Sequence, residues 1–240
     1  MPKIEAVCLG VGKGASYVMK GITSTAFTVL IDDAPLFQVD MGGGVARACQ
    51  QILGRIPNRI YVSHNHSDHA GDLAVVIHLI DNPCIMAHPT VIENIKQHRL
   101  HDAPATQQRS IEKITWIEPD AADQIQIDAL HRLTLTRSQH VYTTYGFVLW
   151  RGRQPLLGYP ADTGYNEMVY RRAAQAPVMI VDGRATGSAE HAGFEDIDAF
   201  AQKVPHCQLY VVHYESGDYA FTSGNVRLWH PGDRVTLLEG

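Results

Sequence analysis

Residues 59–71 read Arg59-Ile60-Tyr61-Val62-Ser63-His64-Asn65-His66-Ser67-Asp68-His69-Ala70-Gly71, a short apolar run that opens into four metal-ligand side chains within six positions. In an extended segment side chains alternate, so His64 and His66 point the same way and two imidazoles can grip one ion. Asp68 and His69 come after the turn and can face a neighbouring position. A polar loop whose histidines only cap the next helix is the plain alternative, but surface loops rarely gather this set.

Zinc takes about four donors, and a second ion needs its own, so further ligands are required. Three later segments offer them. His140 follows a strand-like run in Thr136-Arg137-Ser138-Gln139-His140, Asp162 lies in Gly158-Tyr159-Pro160-Ala161-Asp162-Thr163-Gly164, and His213 ends the run Leu209-Tyr210-Val211-Val212. Each is a polar group at the carboxyl end of an apolar strand. Taken singly, His140 has the alternative reading of a strand-end histidine and Asp162 that of a turn-capping carboxylate; their joint occurrence favours ligands.

Around these motifs, apolar runs alternate with helical patterns, which predicts an α/β fold. Strands are expected at 6–9, 26–31, 36–39, 59–63, 84–87, 125–127, 132–136, 145–150, 155–158, 178–181, 209–212 and 234–238. Helices are expected at 45–53, 71–80, 90–97, 167–174 and 195–203, with Thr90 and Glu93 reading as a capping box. No repeat or low-complexity linker divides the chain, and 240 residues suit one core, so a single domain over residues 1–240 is expected.

Composition bounds the partners. A hydrophobic share of 45% with 19% charged residues is globular rather than disordered. A formal charge of −5 opposes binding long nucleic acid through its phosphates, while leaving a small anionic substrate open. The start lacks a basic stretch followed by an apolar run, and no segment approaches eighteen apolar residues, so no membrane partner and a cytoplasmic location are expected. Cys8, Cys49, Cys84 and Cys207 are dispersed without a CxxC pair and read as reduced and mostly buried.

The run His64-x-His66-x-Asp68-His69 matches the HxHxDH motif of the metallo-β-lactamase superfamily, and the whole chain resembles that family, with His140, Asp162-Thr163-Gly164 and His213 following in order. The resemblance implies a four-layer αββα sandwich and two Zn2+ ions: His64, His66 and His140 on one, Asp68, His69 and His213 on the other, Asp162 bridging. Manganese, iron or cobalt suit the same donors. Ala161 stands where the family's turn carries glycine.

The Leu-Gly-Val-Gly stretch at 9–12, the Val-Asp-Met-Gly turn at 39–42 and the short spacing from His140 to Asp162 resemble the tRNase Z-like branch. The arm with which tRNA-processing members grip tRNA has no room there. The outline is closer to the small phosphodiesterases of that branch, including cyclic phosphate esterases and the phage anti-Pycsar enzymes that hydrolyse cyclic mononucleotides; the cysteine-rich zinc site of the phosphonate-pathway esterases cannot be built from this chain's cysteines.

In that branch a non-ligand histidine contacts the scissile phosphate and protonates the leaving oxygen. His191, in Ala189-Glu190-His191-Ala192-Gly193-Phe194, stands at that place, although it also reads as a polar residue at a helix start. The resemblance thus implies catalytic roles for His191 and for Asp68, which would steer the attacking water, and a homodimer. Asp182 either orients a ligand imidazole or simply ends a strand. The glycine-rich segment 10–16, with Lys13, either rims the site or is a plain turn. Tyr17, Tyr142, Tyr145, Tyr214 and Phe221 are candidate platforms for a base, or core. A lactone, thioester or lactam hydrolase, a tRNase Z-like RNA nuclease and a non-catalytic metal protein are the rival readings on the same scaffold.

Overall fold

The computed structural model describes residues 2–101, 105–140, 143–215 and 219–240. The chain divides into two compact units, Met1–Glu118 with His230–Gly240, and Pro119–Trp229. Each is built on one seven-stranded sheet among the described residues.

In the first unit the strand order is Arg234–Leu238, Ile4–Gly10, Ala26–Ile31, Ala34–Val39, Arg59–Tyr61, Cys84–Met86, Thr115–Ile117. Pairing is antiparallel across the first four and parallel across the last four. The tight turn Asp32-Asp33 closes one hairpin with both residues at positive φ, a conformation aspartate tolerates better than most side chains. Ile4, Val7, Phe27, Val29, Phe37, Ile60 and Met86 are buried and form this unit's core.

The second unit repeats the plan. Its order is Val226–Leu228, Gln208–Val212, Val178–Asp182, Gln154–Tyr159, Tyr145–Arg151, His131–Arg137, Gln124–Gln126, with parallel pairing through the first four and antiparallel pairing through the last four. Val178–Asp182 is buried at every position, as a parallel strand between parallel neighbours should be, whereas His131–Arg137 alternates buried and half-exposed residues. The segment from His140 to Asp162 is filled by the hairpin of Tyr145–Arg151 and Gln154–Tyr159, so no inserted arm is present among the described residues.

Three local expectations need correction. The helix expected at 71–80 is two single turns, Ser67–Ala70 and Leu73–Val76, because the ligand loop itself coils directly into helix. Thr90 does not cap its helix. His88 does, accepting from Thr90 N, because Pro89 has no N–H and fits the first helical position, which moves the cap one residue upstream of it. The helix Ala105–Glu112 and the strands Thr115–Ile117 and Val226–Leu228 were not anticipated. Among the described residues no helix is long and apolar enough to cross a membrane. Cys8, Cys49 and Cys207 are buried and Cys84 half-buried, and all four are free thiols.

Candidate metal centre

His64, His140, Asp162 and His213 lie within three residues of the carboxyl end of a strand, where a sheet presents loops side by side, while Asp68 and His69 lie in the short helix Ser67–Ala70 that follows. In the first unit these exits belong to two adjacent parallel strands. Ala34–Val39 exits into Asp40, and its neighbour Arg59–Tyr61 exits into Ser63 and His64. Asp40 is fully buried and adopts a left-handed backbone, φ 59°. That conformation costs a non-glycine residue roughly 1–2 kcal/mol. It turns the carboxylate back onto the ligand loop, where Oδ1 accepts from Ser63 N at 2.8 Å and Oδ2 accepts from Ser63 Oγ at 2.9 Å.

Asp40 Oδ2 also lies 2.8 Å from His69 Nδ1. A carboxylate only accepts, so the His69 proton sits on Nδ1 and Nε2 is the nitrogen offered to a metal. His64 is set the same way at one remove. Ser63 Oγ gives its proton to Asp40 and therefore accepts from His64 Nδ1, 3.0 Å away. His64 Nε2 and His66 Nδ1 are then 2.9 Å apart. Two imidazole nitrogens about 2.1 Å from one tetrahedral ion would stand roughly 3.4 Å apart, so this pair needs only a small spreading to share a cation.

Asp68 is buried and its Oδ2 accepts from Gly14 N at 2.8 Å, tying the glycine-rich segment to the ligand loop. Arg99, at the end of the helix Pro89–His98, braces the same loop: Nε donates to Asn65 Oδ1 at 2.8 Å, and Nη2 to Asn65 O at 2.8 Å and Ser67 Oγ at 3.2 Å. Burial lowers the Arg99 pKa and the nearby Asp68 carboxylate opposes that shift. Gly42 completes the packing, since a Cβ there would fall 1.8 Å from the Asp68 carbonyl oxygen.

In the second unit the exits belong to three neighbouring parallel strands. Gln154–Tyr159 exits through Ala161 to Asp162, Val178–Asp182 ends on Asp182, and Gln208–Val212 exits into His213. Strands in one sheet are about 4.8 Å apart, so three consecutive exits bring these side chains together. Ligand atoms of Asp162, Asp182, His191 and His213 lie within 4.8 Å of one another, all buried. Ala161, at φ 56°, and His213, at φ 63°, are both left-handed, repeating at these exits the sharp turn seen at Asp40.

Asp182 is the organiser. Its Oδ1 accepts from His213 Nδ1 at 2.9 Å and its Oδ2 from His191 Nδ1 at 2.7 Å and Thr163 N at 3.2 Å. Of the two roles open to it in the sequence, orienting an imidazole is the observed one. Asp162 Oδ2 sits 3.5 Å from His213 Nδ1 and 3.8 Å from His191 Nδ1, so its carboxylate lies against both imidazoles.

His140 lies in a loop stitched to the Asp162 turn: Gln139 N donates to Thr163 Oγ1 at 3.0 Å and Gly164 N to Gln139 O at 2.9 Å. His140 Nδ1 donates to the Glu190 carbonyl at 3.1 Å, which leaves Nε2 as the nitrogen able to ligate. Burial lowers the pKa of His140, favouring the neutral form that a metal needs, against the opposing pull of Asp162.

His191 Nε2 accepts from Arg184 Nη2 at 2.7 Å. Arg184 escaped the sequence reading, and so did the role of Asp40, although the turn at 39–42 was part of the resemblance. The signal for Asp40 was its place directly after an apolar strand, shared with Asp162 and Asp182; Arg184 carried none. Among the aromatic candidates, Tyr17 is buried beneath Lys20 and Tyr214 is buried with its hydroxyl on the Trp229 carbonyl at 2.7 Å, so neither offers a face. Tyr145 and Phe221 keep partial exposure, Phe221 within a cluster of Phe194 and Tyr219, and Tyr142 lies outside the described residues.

The fold itself is familiar. The metallo-β-lactamase fold protein YhfI from Bacillus subtilis superposes with a TM-score of 0.75 at 17% identity, covering 97% of this chain and 99% of that one. A diphosphatase from the PhnP family gives 0.74 at 14% identity, covering 98% of each chain. Human tRNase Z, short form, gives 0.69 at 14% identity over 98% of this chain and 100% of that one. No curated protein matches the sequence. At these identities the likenesses establish the α/β metallo-β-lactamase fold and nothing finer. The family profile described as anti-Pycsar protein Apyc1 matches residues 4–231, nearly the whole length, and the chain therefore belongs to the anti-Pycsar protein Apyc1 family.

Proposed function

We propose that this chain is a two-metal phosphodiesterase whose substrate is a small phosphodiester, a cyclic nucleotide or cyclic phosphate. The observation that carries the reading is the pair of buried carboxylates, Asp40 and Asp182, each fixing the Nδ1–H tautomer of a histidine so that Nε2 is offered to a cation. Buried carboxylate–histidine pairs of this kind are the usual support of metal ligands. The donor set is nitrogen and oxygen without thiolate, which suits zinc and equally manganese, iron or cobalt.

In this proposal residues 1–240 form one hydrolase domain. His64, His66 and His140 would hold one ion and Asp68, His69 and His213 the other, with Asp162 as a further ligand. Bound metal supplies Lewis acidity and an ionised water at neutral pH. The protein's own groups do the rest. Asp68, anchored by Gly14 N, orients the attacking water, and His191, held at Nδ1 by Asp182, directs Nε2 at the phosphate and its leaving oxygen. Support for a phosphoryl rather than a carbonyl substrate comes from the family match and from the place of His191, which resembles that of the phosphate-contacting histidine of the small phosphodiesterases. The acidic balance and the plain hairpin between His140 and Asp162 disfavour a tRNA substrate.

The test is a substrate screen of metal-reconstituted protein with cyclic mononucleotides, cyclic dinucleotides, bis-p-nitrophenyl phosphate, lactones and thioesters. Metal-dependent opening of a cyclic phosphodiester, lost with His66→Ala and reduced at least tenfold with His191→Ala, is expected. Turnover confined to lactones or thioesters, or indifference of the best substrate to His191→Ala, would overturn the assignment.

A further inference from the structure

A cationic side chain, that of Arg184, reaches His191. Arg184 follows Val178–Asp182 by two residues, and its backbone is pinned, N donating to Ala192 O at 2.9 Å and O accepting from Phe194 N at 2.8 Å. The guanidinium is therefore delivered to one spot. Its Nη2 stands 2.7 Å from His191 Nε2. A guanidinium only donates, so Nε2 accepts and the His191 proton is on Nδ1, against Asp182.

This is an unusual resting place for a guanidinium. An arginine kept only to balance charge would take a carboxylate, and Asp162 and Asp182 both lie in the same cluster. Arg184 instead donates to a neutral imidazole, and its Nε is buried with no hydrogen-bond partner among the described residues. A buried N–H left unpaired is costly, and an incoming oxygen acceptor would relieve it. The side chain as a whole remains partly exposed. The ligand that suits a planar fork of donors, one of them unpaired, is a tetrahedral oxyanion.

We propose that Arg184 is a phosphate-binding residue of this site: its guanidinium, docked on His191 Nε2, grips a non-bridging oxygen of the substrate phosphodiester and positions it for His191. The inference rests on the phosphodiesterase reading and deepens it. His191 Nε2 accepts from Arg184 in the resting site; to donate to the phosphate or its leaving oxygen it must first take up a proton from water, whereupon Arg184 turns wholly to the phosphate.

The probe is inorganic phosphate, with its dissociation constant measured calorimetrically on metal-loaded protein for the parent, Arg184→Gln and Arg184→Lys, alongside metal content and melting temperature. Arg184→Gln should weaken phosphate about tenfold to a hundredfold, the worth of a charge-assisted hydrogen bond, at unchanged metal content. Arg184→Lys keeps the charge without the fork and should recover part of the loss, which also serves if the glutamine variant does not fold. In bis-p-nitrophenyl phosphate hydrolysis the loss should appear chiefly in KM. Phosphate affinity within twofold of the parent in both variants, or no phosphate binding by the parent, overturns the proposal. Parent turnover of lactones or thioesters alone would instead defeat the phosphodiesterase reading, so the two failures are separable.

Discussion

Asp182→Asn is a nearly isosteric change whose consequence can be worked out from the three donors that converge on the carboxylate. His191 Nδ1 and Thr163 N share Oδ2, while His213 Nδ1 uses Oδ1. An asparagine has one oxygen and one NH2, so the orientation that satisfies most donors places its oxygen toward His191 and Thr163 and its NH2 toward His213. Two donors then face each other at 2.9 Å. His213 escapes by moving its proton to Nε2, the nitrogen proposed to bind metal, and so must give up that proton to ligate. Losing such an orienting partner lowers metal affinity by about 10- to 100-fold, or roughly 1.4–2.8 kcal/mol. The expected outcome is selective: the ion assigned to Asp68, His69 and His213 weakens by that factor while the ion assigned to His64, His66 and His140 binds as before. Zinc titration against a chromophoric chelator, with plasma mass spectrometry of the dialysed protein, reads both. Two unaltered zinc affinities in Asp182→Asn would refute the reasoning.

Three further outcomes are expected. Gly42→Ala drives a methyl into the Asp68 carbonyl, 1.8 Å from its Cβ, and should cost about 3 kcal/mol or more in urea unfolding together with loss of activity, because strand exit and ligand loop cannot separate without moving Asp68. Burial would raise the Asp198 pKa, but hydrogen bonds from Thr222 and Ser223 outweigh it and hold the carboxylate at about 2, below its ordinary 3.8. Since the folded pKa is the lower one, this stabilisation, about 2 kcal/mol, is complete above about pH 5 and lost as pH falls through 3.8 toward 2; Asp198→Asn should remove that slope from the acid-denaturation profile. Burial pushes the Cys49 and Cys207 thiols up to about 12 and Cys8 higher still, so an aromatic disulfide reagent should find at most Cys84 reactive in the native protein and all four thiols in guanidinium.

The strands were legible because each pairs a short β-branched or apolar run with a polar exit, and the exits were where the ligands stood. Residues 178–181 and 209–212 stop one residue or less from the observed bounds for that reason. Thr115–Ile117 and Val226–Leu228 were hidden because three residues carry no period, and their pairing is decided by the neighbouring strand. Helical periodicity over 71–80 was misleading, since the apolar positions there serve two separate turns.

The ligand candidates were readable from chemistry and spacing, whereas their support was not. Asp40 lies 29 residues from the histidine it orients and Asp182 lies 31 from His213, separations that only the sheet order closes. Ala161 shows how a departure from a motif resolves: it takes the left-handed backbone that glycine would adopt freely, at φ 56°, and the carboxylate of Asp162 keeps its place. Arg184 was invisible because nothing in the sequence pairs it with His191 until the 184–194 loop folds back on itself.

The most direct test of the whole account is anomalous diffraction from a crystal grown with zinc. The account predicts two peaks per chain, one bound by His64, His66 and His140 and the other by Asp68, His69 and His213, with Asp162 reaching both. A single ion held within one unit, or zinc bound away from these seven side chains, would contradict it.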